Sequence, residues 1–267
     1  MKMRNKKIIY LGVSIGPIAT GKGNYIIKKI MQSSNLAIVR DEKSYEFLLN
    51  IKNHLKYVLS PDLVLSLEPP KNELSFKNEE VEKTLGINLM PHYSEIGNKE
   101  DLENRILHNL VELIRVSPEV KIKFFQFQNQ SSMNDKKTYD KLIKVLEKEK
   151  VNKRIEFIKY VNVENLTSEM LKCDFFIGMR LHSSVICDVL RIPHIMLSYH
   201  PKGIGYAQIL KYSETMIINC DTAEEYFNEM KHLLIAPSEF LVDKSVKETQ
   251  MIIENTFNKV NEVINLK

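Results

Sequence analysis

The chain has 267 residues, and 38 Lys+Arg against 34 Asp+Glu leave a formal charge of 38 − 34 = +4. With 27% charged and 43% hydrophobic residues, it is an ordinary globular sequence, neither disordered nor collagen-like, and so small a positive excess gives no ground for nucleic-acid binding. Roughly 150 residues per domain allows two modest domains, while Cys173, Cys187 and Cys220, without a CxxC pair, exclude a disulfide framework and a zinc site.

In chain order, the basic start Met1 to Lys7 precedes an apolar run from Ile8 to Ala19. A signal peptide opens the same way, but Gly12, Ser14, Gly16 and Pro17 weaken an apolar helix, so 7–14 is read as the first buried strand of an α/β domain. A helix over 24–32, a strand over 36–39, a helix over 44–53 and an extended 57–67 complete βαβαβ, the order that builds a parallel sheet. Residues 68–83 are rich in charge and poor in apolar side chains, which places the end of a first domain, 1–83, there. A second domain, 84–267, restarts the pattern. Its strands are expected over 86–90, 120–126, 155–159, 174–177, 194–198 and 216–218, with helices over 99–116, 134–148, 167–171, 183–190, 205–211 and 222–234 between and after them. A last amphipathic helix, over 244–264 within a segment of about 238–267, is expected to pack back on the first domain. The fold class is therefore α/β, two Rossmann-like doubly wound domains of which the first is incomplete. No apolar stretch approaches the ~20 residues of a membrane span.

Ligands of open parallel sheets bind beyond the carboxyl ends of the strands, so the βα turns deserve the closest reading. The clearest is Ile177-Gly178-Met179-Arg180-Leu181-His182-Ser183-Ser184, where a strand gives way to a helix with Arg180 and His182 between them. A helix start offers the N–H groups of Ser183 and Ser184 and a positive dipole end, Arg180 adds a planar fork, and His182 is a proton carrier near neutral pH. That combination suits an anion, although Ser183 alone would serve as an ordinary cap. Tyr199-His200-Pro201-Lys202-Gly203 forms a second basic turn, and Val39-Arg40-Asp41-Glu42-Lys43-Ser44 a third, in which Arg40 ends a strand and Asp41 caps a helix. As residues in solvated turns, Arg180 and His182 should both tolerate alanine without loss of fold.

Gly16-Pro17-Ile18-Ala19-Thr20-Gly21-Lys22-Gly23 imitates a phosphate-binding loop, but Gly23 stands where the Mg²⁺-holding hydroxyl belongs. It reads as a flexible glycine loop. His54, His92, His108, His194 and His200 show no ligand spacing, and neither a metal nor a cofactor is expected.

Taken together, Ser14-Ile15-Gly16-Pro17, Val39 to Ser44, Ile177 to Ser183, Ile192-Pro193 and Tyr199 to Lys202 resemble, in order and spacing, the polysaccharide pyruvyl transferase family over about residues 8–220. The resemblance implies a fold similar to the GT-B glycosyltransferases with an active site between its domains. It further implies phosphoenolpyruvate as donor and, as product, a pyruvate ketal on a sugar of a cell-surface polysaccharide. Arg40, Arg180, Leu181 and His182 match the donor-binding and catalytic positions, with Ser183 and Lys202 beside them. Family members begin earlier, with a glycine-rich strand–loop segment and further strands, so the first domain is expected to be short here. Two other readings stand beside this one. The first is a GT-B glycosyltransferase using a nucleotide sugar, for which Asp221 or Glu224 would have to serve the ribose. The second is a non-catalytic homologue. The expected partners are phosphoenolpyruvate and a glycan or lipid-linked saccharide, with a homo-oligomer allowed, in the cytoplasm or at the inner face of the membrane.

Overall fold

The structure, a computed structural model, describes residues 6–16, 18–51, 56–67, 82–91, 100–130, 133–151, 155–220 and 226–265. The chain divides into two compact units: Met1–Leu67 with Lys244–Lys267, and Glu68–Asp243.

In the first unit, β1 (Ile9–Val13), β2 (Leu36–Val39) and β3 (Lys56–Leu59) form a parallel sheet in the order β1-β2-β3. Helices α1 (Gly21–Gln32) and α2 (Glu42–Leu49) connect them. Every residue of the central strand β2 is buried, as expected of a parallel strand covered on both faces. The two-residue period divides its side chains. Ala37 and Val39 pack with Met31, Leu48 and Ile51, while Leu36 and Ile38 meet Val260 and Val263 of the last helix, α9 (Asp243–Asn265). α1 begins earlier than its apolar pattern suggests because Thr20 caps it, its hydroxyl accepting from Gly23 N–H at 3.0 Å. Gly21 to Gly23, expected as flexible loop, are therefore its first turn. Chain 57–67 is not one extended run either. β3 stops at Leu59, and Asp62 caps a short 3-10 turn, Leu63–Ser66.

The second unit holds β4 (Thr84–Asn88), β5 (Lys121–Phe125), β6 (Ile155–Ile158), β7 (Phe175–Gly178), β8 (His194–Ser198) and β9 (Ile217–Asn219). All pair in parallel, in the order β6-β5-β4-β7-β8-β9. Between and after them run α3 (Glu100–Val116), α4 (Lys136–Lys148), α5 (Val163–Met170), α6 (Leu181–Leu190), α7 (Pro201–Ile209) and α8 (Phe227–Ile235). The chain winds outward from β4 to β6, then returns to the other side of β4 and winds outward again. The direction thus reverses between β4 and β7, and the crevice at their carboxyl ends is where such sheets take ligands. The core gathers apolar residues of β4, β5, β7, α3 and α8. α6 is buried from Ser183 to Leu190, so it is a central helix rather than a surface one. Its end is closed by Arg191 in the left-handed conformation, φ 57°.

Candidate functional site

At the reversal point, Asn88 and Gly178 end their strands side by side. The Asn88 carbonyl accepts from Met179 N–H at 2.9 Å, and its side-chain oxygen from Arg180 N–H at 3.2 Å. Arg180 stands as the N-cap of α6 in extended conformation, so its backbone is fixed by β4 while its side chain crosses toward the loop before α4. There Asp135, fully buried, accepts from Arg180 Nε at 2.9 Å and Nη2 at 2.5 Å. The same carboxylate accepts from Phe127 N–H at 2.8 Å, Gln128 N–H at 3.1 Å and Asn88 Nδ2 at 3.2 Å. Arg180 Nη2 also donates to the Met133 carbonyl at 2.7 Å. Only Nη1 of the guanidinium makes no hydrogen bond among the described residues. The arginine is therefore a braced donor rather than a free fork, aimed by a carboxylate that is itself saturated.

The next residues are divided by burial. Leu181 is half-buried, His182 exposed, Ser183 buried. The Ser183 hydroxyl donates to the Arg180 carbonyl at 2.6 Å, and its N–H to the same oxygen at 2.9 Å. That N–H, expected to be open to an anion, is thus used within the turn. Gly178 has to be glycine, because a Cβ there would overlap the Ser183 hydroxyl.

One strand over, β8 ends in Ser198, and His200 caps α7 through Nδ1, which accepts from Lys202 N–H at 3.2 Å. Pro201 at the first helical position starts the helix before Gly203, earlier than the expected 205. Gly203 lies where a Cβ would come within 2.7 Å of the Ser198 hydroxyl. Lys202 is exposed, and Tyr199 is half-buried, with burial pushing its hydroxyl above the ordinary phenol range and Arg180 opposing that. Among the predicted residues, Arg180, Leu181, His182, Ser183 and Lys202 thus lie at the ends of two adjacent strands of one sheet.

Arg40 belongs to the other unit, where it follows the central strand β2. Its Nη1 donates to Asp62 at 2.5 Å and its Nε to the Ser14 hydroxyl at 3.0 Å. Asp41 caps α2, accepting from Ser44 N–H at 2.8 Å, and the Ser44 hydroxyl accepts from Ile15 N–H at 2.7 Å. The residues quoted from 14–15 and 39–44 are thus one hydrogen-bonded knot at the ends of β1 and β2. The two arginines repeat one device, a strand-end guanidinium braced through Nε and one Nη by a buried carboxylate and a neutral oxygen.

Asp135, Asn88 and Asp62 were not anticipated. Asp135 precedes a helix, which reads as a cap, yet its side chain makes no capping bond and turns inward instead. Pro17, His54, His92, Asp221 and Glu224 lie outside the described residues. No cluster of three or more His, Cys, Asp or Glu suited to a metal occurs among the described residues, nor does a helix long and apolar enough to cross a membrane.

Two parallel-sheet units, each with a carboxylate-braced arginine at a strand end, define a two-unit α/β protein. The sequence matches the family Polysaccharide pyruvyl transferase over residues 2–201, and the chain belongs to that family. Its fold is similar to that of GT-B glycosyltransferases. Among solved structures, pneumococcal O-GlcNAc transferase GtfA in complex with UDP and GlcNAc is 10% identical at TM-score 0.57, covering 92% of this chain and 48% of that one. Anabaena Alr3699/HepE in complex with UDP and glucose is 12% identical at TM-score 0.55, covering 98% and 72%. TarM is 16% identical at TM-score 0.53, covering 94% and 48%. The chain thus spans about half of the length of two of these proteins. Among curated proteins none matches the sequence significantly.

Proposed function

We propose that the chain is a pyruvyl transferase that moves the three-carbon unit of phosphoenolpyruvate onto a sugar of a cell-surface polysaccharide. The observation that supports this reading most directly is the Arg180–Asp135 brace at the strand reversal. It leaves Nη1 without a hydrogen bond among the described residues, at the start of the helix whose first turn carries the exposed His182. No cofactor is needed by the chemistry. Arg180, with Lys202 on the neighbouring turn, supplies positive charge for the donor's carboxylate and phosphate.

His182 gives a proton to the methylene carbon, C3, of the donor, leaving an oxocarbenium-like centre at C2. A sugar hydroxyl adds there. The C2–O bond to phosphate then breaks, phosphate leaves with the bonding pair, and a second hydroxyl closes the ketal. Of the two hydroxyl protons released, one restores His182 and the other leaves with phosphate. Arg180 acts on the leaving anion throughout.

Incubation with phosphoenolpyruvate and candidate glycans, following phosphate release and glycan mass, tests the reading. Phosphate released only in the presence of glycan, with a ketal mass gain, is the expected result. Consumption of a nucleotide sugar instead would replace it with the glycosyltransferase reading that the UDP-bound neighbours favour, and no turnover by folded protein would leave a binding role.

A further inference from the structure

A buried titratable cluster that the proposed reaction leaves unused joins α6, β8 and α7. Asp188 lies near the end of α6, His194 opens β8, Tyr206 is on α7 and Tyr212 follows it. Asp188 Oδ2 is 2.6 Å from both the Tyr206 and the Tyr212 hydroxyl oxygens. His194 Nε2 is 2.8 Å from the Tyr212 oxygen, and its Nδ1 is 3.1 Å from the Ile192 carbonyl.

Each of these four contacts needs one hydrogen between its heavy atoms. The two phenols bring one each, and a neutral imidazole brings a third. With Asp188 ionised, one contact is left as two lone pairs facing each other between buried groups, a costly arrangement. One further proton completes the set. Carried by Asp188, it gives a consistent direction: the carboxyl O–H donates to the Tyr212 oxygen, Tyr212 O–H to His194 Nε2, His194 Nδ1–H to the Ile192 carbonyl, and Tyr206 O–H to Asp188. The same count with a histidinium and a carboxylate buries two charges instead of none. Burial acts in the same sense, raising the Asp188 carboxyl to about 7 and lowering His194 to about 4. The other titratable groups acting here are Tyr206 and Tyr212, and Cys187 beside Asp188 on α6. Burial pushes the Tyr212 and Cys187 groups well up, so neither ionises near neutral pH.

We propose that Asp188, in its protonated form, is a positioning residue for the donor site. The completed chain ties α7, and the His200–Lys202 turn that opens it, to α6, whose first turn carries Leu181 and His182 behind Arg180. This rests on the donor reading of those turns, and the tests separate the two.

Infrared difference spectra across pH read the proton directly. A protonated-carboxyl carbonyl band is expected at pH 6, fading as pH rises past neutrality and missing from Asp188→Asn. Imidazole nitrogen shifts should show His194 as the Nδ1–H tautomer at the same pH. A missing band, or the other tautomer, overturns the chain. Titration of full-length protein with phosphoenolpyruvate reads positioning. Asp188→Asn and Tyr212→Phe should each weaken binding by roughly fivefold, the equivalent of about one hydrogen bond. Binding by the wild type should weaken at the pH at which its band fades. The amide nitrogen of Asp188→Asn donates to Tyr212 at every pH but cannot also accept from Tyr206, so its binding, weaker by that one bond, should not follow the pH change. Variants that keep their circular dichroism and bind like wild type overturn the positioning role. A wild type that shows the band but binds no phosphoenolpyruvate overturns the positioning role with the donor reading and leaves the proton chain standing.

Discussion

At the level of single residues, an arginine paired with a carboxylate that no water reaches cannot be removed as if it stood in a solvated turn. The sequence makes Arg180 and His182 look alike. The structure separates them, because Arg180 is 16% exposed and answers a fully buried Asp135, while His182 is exposed. Breaking such a pair costs about 3–5 kcal/mol, since the remaining charge stays buried without its partner. Arg180→Ala and Asp135→Ala are therefore each expected to destabilise the second unit by that order, read as a lower urea midpoint with unchanged slope. His182→Ala should leave the midpoint in place and remove turnover. An equal midpoint for Arg180→Ala and wild type would mean that the brace carries no stability. The Asp188–His194 pair makes a second prediction, on pH. Asp188 is raised from 3.8 to about 7, so its protonated state contributes stability that is lost as pH rises through about 7. His194 is lowered from 6.5 to about 4, so the unfolded chain takes up its proton first and stability is gained as pH rises from about 4 to 6.5. Between those limits the two slopes cancel. Replacing one partner should uncover the other. Asp188→Asn should gain stability from pH 4 to 6.5, and His194→Gln should lose it from pH 4 to 7, each by roughly 4 kcal/mol at ~1.4 kcal/mol per pH unit. Denaturant melts across pH check this, and two parallel profiles would contradict it.

Among elements, Gly178 shows why strand-to-helix turns are sensitive to one methyl group. The place of its Cβ is taken by the Ser183 hydroxyl, which is buried and bonded to the Arg180 carbonyl at 2.6 Å, so it has nowhere to go. Gly178→Ala should cost about 1–3 kcal/mol by overpacking. Ser183→Ala, in the same chain, should return part of it, because the two sites are in contact and cannot be additive. A thermal-melt cycle over the four proteins tests this, and strict additivity would place the clash elsewhere. The order and type of the elements were legible in the sequence because parallel strands such as β2 and β8 are short apolar runs flanked by polar turns. What escaped was set by single side chains acting on the backbone. Thr20 starts α1 ahead of its apolar pattern, Asp62 ends the third strand in a 3-10 turn, and Pro201 opens α7 across glycines that read as breakers. The candidate site was legible in its motif residues for a related reason, as basic groups at strand ends stand out in sequence. Its carboxylates did not stand out. Asp135 and Asp62 sit 45 and 22 residues from the arginines they brace, and an aspartate before a helical turn looks like a cap whether or not it turns inward.

For the whole chain, the last helix belongs to the unit that the first residues build. β2 has two apolar faces, and α1 and α2 account for the one made by Ala37 and Val39. The opposite face, Leu36 and Ile38, is closed by Val260 and Val263 of α9, and Gln250 Nε2 donates to the Leu65 carbonyl at 2.9 Å while Lys7 Nζ donates to the Ile264 carbonyl at 2.9 Å. A three-stranded sheet has little area to spare, and each buried Leu or Ile is worth about 1.5–3 kcal/mol when kept from water. The first unit's stability is therefore tied to residues more than two hundred positions away, whereas the second unit closes its own core between Glu68 and Asp243. Val263→Asp in the intact chain places an unpaired carboxylate on that face, and it should open the first unit while sparing the second. Hydrogen exchange should then show lost protection over Leu36–Val39, with protection kept over Phe175–Gly178. Loss in both segments together would mean that the two units unfold as one, and loss in neither would mean that α9 does not hold the sheet. Because Arg40 follows directly on β2, the same substitution should release the Arg40–Asp62 brace while leaving Arg180 and Asp135 joined, and the urea midpoint of the second unit should stay where it is in wild type.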